Sequence, residues 1–191
     1  MARFFLVGYM GCGKSTLGRR LARRLGIPFV DTDTLVERHE GASVADVFHY
    51  EGEQRFRELE REVLERAIAE YPSAVISTGG GLPVWRDNMS CMNAAGHTVY
   101  LHRTAENIAG RLSPYGRQKR PRLRGLDDEQ LVRFMRQDMA GREPFYRQAE
   151  LVLDCSGLSD EELVERILAA CGAVPSGERD RTPEEGRGFR K

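Results

Sequence analysis

The sequence predicts an α/β domain built on an open, parallel, five-stranded sheet with helices on both faces. Three observations predict it. Short apolar runs alternate along the chain with segments of helical period. The first run leads straight into a glycine-rich turn and then a helix. The 191 residues, 40% of them hydrophobic, suffice for one core and not for a second full domain. A single domain over residues 1–173 is expected, followed by a disordered tail, 174–191, because the polar run from Pro175 to Gly186 has little to bury.

Phe4-Phe5-Leu6-Val7 reads as a strand buried on both faces. From Lys14 the apolar positions Leu17, Leu21, Ala22 and Leu25 share one helical face, and Gly26 and Pro28 stop that helix. Phe29-Val30 is strand two. A short helix from Asp33 to His39 ends at Gly41, and Ser43 opens another that turns Val44, Val47 and Phe48 inward. Between Glu53 and Ala69 the residues Phe56, Leu59, Val63, Ala67 and Ile68 recur at helical spacing, and Pro72 closes the run. Ala74–Ser77 is strand three, Thr98–Leu101 strand four with a helix from about Thr104, and Leu151–Leu153 strand five. Ser159 caps the last helix with Glu162 three residues on, and that helix runs to about Cys171.

Charge and cysteine usage narrow the class. Lys+Arg and Asp+Glu both number 29, so the basic excess of a nucleic-acid binder is missing. Cys12, Cys91, Cys155 and Cys171 lack metal-site spacing, and the N-terminal apolar run is too short for a signal peptide. The expectation is a cytoplasmic protein with reduced thiols, a small-molecule partner and no membrane segment.

Gly8-Tyr9-Met10-Gly11-Cys12-Gly13-Lys14-Ser15-Thr16 matches G-x-x-x-x-G-K-S/T between a strand and a helix, the context a phosphate-binding loop requires. Glycines let backbone N–H groups converge on phosphate oxygens, and the helix N-terminus adds its positive end. Gly11, Cys12, Gly13 and Thr16 belong to that cradle. Lys14 supplies a point charge to the β and γ phosphates, and Ser15 a hydroxyl to Mg²⁺ bound with ATP. The alternative is a glycine-rich turn that holds nothing. Lys14, Lys119 and Lys191 are the only lysines, and an arginine-biased chain that keeps an ammonium here needs a compact charge at that point.

Asp31-Thr32-Asp33 stands at the carboxyl end of strand two, so one carboxylate can serve the metal and the other the substrate. Either can instead cap the next helix. Thr78-Gly79-Gly80-Gly81 ends strand three and offers bare N–H groups to an anion or hydroxyl, unless it is merely a flexible loop. Arg57 sits one residue after the inward-facing Phe56, a weak signal by itself. Residues 111–125 carry six basic side chains and no acid, which suits a mobile cationic lid over ATP or else a solvated basic loop or RNA-binding patch.

In this order the pieces resemble the shikimate kinase family over roughly residues 3 to 170. The resemblance rests on the phosphate loop, Asp31-Thr32-Asp33, Gly52-Glu53-Gln54-Arg55-Phe56-Arg57, Gly79-Gly80-Gly81, Arg120-Pro121 and Arg142-Glu143-Pro144-Phe145-Tyr146. It implies a nucleoside monophosphate kinase-like P-loop fold and transfer of the γ-phosphoryl of ATP to the 3-hydroxyl of shikimate in aromatic amino-acid biosynthesis. It further implies that Asp33 binds substrate hydroxyls and acts as base, and that Asp31 holds Mg²⁺ through water. Arg57 and Arg142 match the arginines that hold the substrate carboxylate beside Gly79, Gly80 and Gly81. Arg120 matches a lid arginine that reaches the transferring phosphate, and Arg111 a residue lying against adenine. A monomer is expected, with gluconate or a nucleoside monophosphate as alternative acceptors. One departure stands out: the lid reads Arg120-Pro121-Arg122-Leu123, where the family usually has leucine at the third place.

Overall fold

The central strands are apolar on both faces because both are covered: Phe4, Phe5, Leu6, Val7, Val75, Ile76 and Val99 are fully buried. The computed structural model describes residues 2–118 and 120–173. Its strands are β1 (Arg3–Val7), β2 (Phe29–Asp31), β3 (Ala74–Ser77), β4 (His97–His102) and β5 (Leu151–Asp154). They form one sheet in the order β2-β3-β1-β4-β5, and every pairing is parallel. The predicted fold class holds. The expected tail, 174–191, lies outside the described residues.

The step from β1 to β2 runs one way across the sheet, and the three later steps run the other way. Parallel crossovers are right-handed, so α1 (Lys14–Leu25) lies on one face and the connections after β2, β3 and β4 lie on the other. The chain reverses between β1 and β3, which makes the carboxyl ends of those strands the place for a ligand. α8 (Asp160–Ala170) packs on α1. Its Ser159 and Glu162 form the expected capping box.

Local chemistry explains the boundaries. α1 ends at Gly26, whose left-handed backbone (φ 66°) lets its N–H reach the carbonyls of Ala22 and Arg23. α2 (Thr32–Glu40) is capped by Asp31 and α3 (Val44–Glu70) by Ser43. Gly52, at φ 83°, breaks α3 into the two helices that the sequence predicts. Phe48 departs from expectation. It is 39% exposed and packs edge-on against Phe56 with ring centroids 5.6 Å apart, lining a cavity instead of the core.

Among the described residues, α4 (Asn88–Ala95), α6 (Pro114–Gln118) and α7 (Asp128–Tyr146) go beyond the helices that the sequence predicts, while α5 (Ala105–Arg111) is the one expected from about Thr104. α7 hides because Pro144 in its last turn reads as a breaker, while its buried stripe of Leu131, Met135, Met139 and Tyr146 is sparse. The predicted lid is not bare loop. It contains α6 and a 3₁₀ turn, Pro121–Leu123, whose Leu123 is buried in the main core.

Candidate active site

The phosphate loop leaves β1 with three glycines at positive φ, Gly8 (139°), Gly11 (81°) and Gly13 (107°), a path that side chains rarely follow. Gly13 precedes α1 with no side chain capping the helix, so the first-turn amides face the loop's hollow. Lys14 is buried and donates from Nζ to the carbonyls of Gly8 at 2.7 Å and Tyr9 at 3.0 Å. Those neutral acceptors hold the ammonium inside the loop without cancelling its charge. Cys12 is buried and gives its N–H to Tyr9, and Thr16 is exposed beside Ser15. Sequence reasoning missed Arg103, which is buried beneath the loop and donates to the carbonyls of Cys12 (3.0 Å) and Cys155 (2.9 Å).

Strand register brings the next pair together. Asp31 pairs with Ser77 across β2 and β3, and Ser15 Oγ donates to Asp31 Oδ2 at 2.8 Å while lying 3.4 Å from Ser77 Oγ. Asp31 also accepts the Asp33 N–H at 3.1 Å, so it is both helix cap and partner of Ser15. The two roles that the sequence left as alternatives coexist.

Beside this loop opens a cavity of about 630 Å³ whose wall includes Asp33, Arg57, Glu60, Gly79–Gly81, Asp138 and Arg142. The residues expected to hold the acceptor thus meet in one place. Arg57 Nη1 donates to Glu60 at 2.5 Å and Nη2 to Glu53 at 3.3 Å. Arg142 pairs with Asp138 at 3.1 Å and stands over the Tyr9 ring, 5.6 Å from its centroid. Tyr146 donates to the Gly80 carbonyl at 2.5 Å, fixing the glycine segment to α7.

The glycine triplet works by close approach more than by bare amides. A Cβ on Gly79 would lie 2.6 Å from Glu60 and 2.7 Å from Asp33, and one on Gly81 would strike the Arg57 guanidinium. The Gly79 N–H is not free, because Thr32 Oγ1 accepts it at 2.9 Å. That corrects the expectation of three open donors.

Two carboxyl groups are displaced from their ordinary range. Burial pushes Glu60 up to about 7 against the pull of Arg57, with Asp33 adding to the rise. Sequence reasoning missed Glu60, although it falls within the apolar stripe of Phe56, Leu59 and Val63, where an acid needs a partner. Asp33 is raised to about 6, first by the protein atoms crowding it and then by the Asp31 carboxylate, with Lys14 opposing. Its side chain is nevertheless reached by solvent through the open cleft. Water there hydrates the ion, so the full rise belongs to a covered cleft.

The lid residues are placed differently. Arg111 is exposed, and its Nη2 comes within 3.9 Å of where a Cβ on Gly13 would sit, over the phosphate loop. Arg120 is not in the cavity; its Nη1 donates to the Gly116 carbonyl at 2.5 Å, inside the lid. Arg122 reaches the cavity instead.

A phosphate cradle at the switch point of a parallel sheet, with carboxyl groups and guanidiniums lining the adjoining cavity, defines a P-loop kinase with a separate acceptor site. The shikimate kinase family model matches residues 10–172. The shikimate kinase of Bacteroides thetaiotaomicron is 43% identical over 165 residues, covering 86% of this chain and 93% of its own. A crystal structure of a shikimate kinase from that organism superposes with a TM-score of 0.82 at 40% identity, over 88% of this chain and 97% of that one. Shikimate kinase from Acinetobacter baumannii in complex with shikimate gives 0.77 at 33% identity, over 88% and 91%. The chain belongs to the shikimate kinase family and is an ATP-dependent kinase.

Proposed function

We propose that this chain transfers the γ-phosphoryl group of ATP to the 3-hydroxyl of shikimate, giving shikimate 3-phosphate and ADP on the route to aromatic amino acids. The observation that carries the reading is that one cavity is lined by Asp33, Arg57 and Arg142 together. A small ring bearing hydroxyls and one carboxylate matches it: the guanidiniums take the carboxylate as planar forks, and Asp33 takes a hydroxyl.

Lys14 and the amides of Gly11, Gly13, Ser15 and Thr16 hold the phosphates, while the Cys12 N–H closes the loop on Tyr9 and Arg111 lies on the nucleotide side. Ser15 and Asp31 fit a magnesium ion, since two hard oxygen donors 2.8 Å apart beside the loop suit an ion whose shell is completed by phosphate and water. Bound there, Mg²⁺ offsets charge on the β and γ oxygens. Asp33 accepts the proton of the 3-hydroxyl as that oxygen bonds to phosphorus, while the bond from the γ-phosphorus to its bridging oxygen breaks and leaves ADP. Arg120 reaches the transferring group when the lid moves, releasing the Gly116 carbonyl.

The chain works as a monomeric kinase domain over residues 1–173, in the cytoplasm, where ATP is present and its four free thiols stay reduced. No nucleic acid or membrane takes part. Among the described residues no helix is long and apolar enough to cross a membrane. The test is ADP release with ATP and shikimate, gluconate or a nucleoside monophosphate as acceptor. Turnover is expected with shikimate alone, and a preference for either alternative would overturn the reading.

A further inference from the structure

Asp138 is a cavity acid bonded to an arginine that is to hold the acceptor. It lies on α7 with its side chain 14% exposed, and three donors converge on it: the Tyr9 hydroxyl at 2.7 Å, Arg142 at 3.1 Å and Arg122 at 3.2 Å. Arg142 and Arg122 line the cavity, and Tyr9 comes from the phosphate loop. Arg122 belongs to the lid, where it is also steadied by the Phe134 ring, 5.1 Å from its centroid.

This arrangement has a plain electrostatic consequence. Arg142 is to hold an anionic acceptor while already bonded to a carboxylate. An acceptor carboxylate entering beside Arg142 therefore feels the negative charge of Asp138 at close range, in a cavity that Asp33 and Glu53 also line. Arg122 is placed to cancel that charge. Its guanidinium meets the same Asp138 oxygen, Oδ1, that Arg142 also touches, and its side chain lines the same cavity.

We propose that Arg122 is a specificity-determining residue for the anionic acceptor and acts through Asp138: Asp138 orients Arg142, and Arg122 neutralises Asp138 so that the acceptor carboxylate is not repelled. Because Arg122 belongs to the lid's 3₁₀ turn, the contact also ties the lid to α7 on the acceptor side. The inference rests on the reading of shikimate as acceptor. It adds two residues that touch neither the phosphates nor the reacting hydroxyl.

The test is a mutant cycle on the full chain, with KM for shikimate and for ATP measured separately for the parent, Arg122→Leu, Asp138→Asn and the double variant. Asn keeps an acceptor for Tyr9 and Arg142 while removing the charge. Arg122→Leu should raise the shikimate KM about tenfold and leave the ATP KM within about twofold. In the Asp138→Asn background the same change should cost about twofold or less, since no charge remains to neutralise. Arg122→Lys should keep most of the parent's affinity, which a packing role for the planar group would not allow.

Shikimate methyl ester, an uncharged acceptor, should bind equally well to parent and Arg122→Leu. An equal loss for Arg122→Leu in both backgrounds, or no change in shikimate KM, overturns the proposal. Should Arg122→Leu melt far below the parent, Arg122→Lys and Arg122→Gln decide it by the same comparison. A parent that does not turn over shikimate at all would instead sink the acceptor reading, so the two failures are distinguishable.

Discussion

Arg57 donates to Glu60 at 2.5 Å one helical turn away on α3, and the carboxylate it meets is 1% exposed. Burial raises that carboxyl from 4.5 to about 7 even with the guanidinium beside it. A carboxyl whose folded pKa is raised contributes stability that is complete below its unfolded value and lost as pH rises through its folded value. Glu60→Gln does not titrate. The melting temperature of the variant relative to the parent should therefore improve steadily between about pH 4.5 and 8, with the change centred in the interval up to about 7. Thermal melts of both proteins across that range check it, and a gap that stays constant with pH would show that Glu60 is not raised.

The two aspartates that follow β2 divide the chemistry. Asp31→Asn keeps a good helix cap, so the fold should stand while metal affinity falls, and raising Mg²⁺ should restore turnover. Asp33→Asn removes the proton acceptor and should lower kcat by about 10²- to 10⁴-fold at any Mg²⁺ concentration. Magnesium titrations of both variants separate them. Rescue of Asp33→Asn alone would reverse the assignments.

What could be read from the sequence follows from how local each signal is. The phosphate loop is legible because Gly8 to Thr16 build it alone, and the strands because both their faces are apolar. Asp33 is legible from its place after β2, whereas Arg57 and Arg142 take their roles only from the resemblance, since their meeting depends on α3, α7 and the end of β3 converging. Glu60 and Asp138 escaped notice because a helical acid reads as solvated until its partner is known. Arg120 and Arg122 look alike in a basic run, yet one folds back on Gly116 and the other crosses to Asp138. Only the path of the lid distinguishes them.

Arg120 tests the lid. Its guanidinium is bonded within the lid here, so its contribution to bound ATP in the ground state is small, and its effect should fall on the charge that develops during transfer. Arg120→Ala should lower kcat by about 10²-fold or more while the ATP KM changes by a few fold. Steady-state kinetics at saturating shikimate measure both. A collapse of ATP affinity with kcat intact would make it an ordinary binding residue.

The most direct test of the acceptor site is removal of its two forks. Arg57 and Arg142 are 14% and 15% exposed and already paired, Arg57 with Glu60 and Glu53 and Arg142 with Asp138. Contacts from such partly desolvated guanidiniums to a substrate carboxylate are directional, and deleting one partner costs about 2–5 kcal/mol, roughly 30- to several-thousand-fold in affinity. Arg57→Ala and Arg142→Ala should each raise the shikimate KM within that range and leave ATP binding near the parent's. Arg57→Ala should be the worse of the two for stability, because it strands Glu60 in a buried position, whereas Asp138 keeps Tyr9 and Arg122. Lysine at either position should rescue poorly, since it reaches with a point charge where a planar fork is needed. Acceptor titrations at saturating ATP, with circular dichroism and melts to confirm folding, read out both effects. Unchanged acceptor kinetics in both variants would mean that the cavity between α3 and α7 is not where the carboxylate binds.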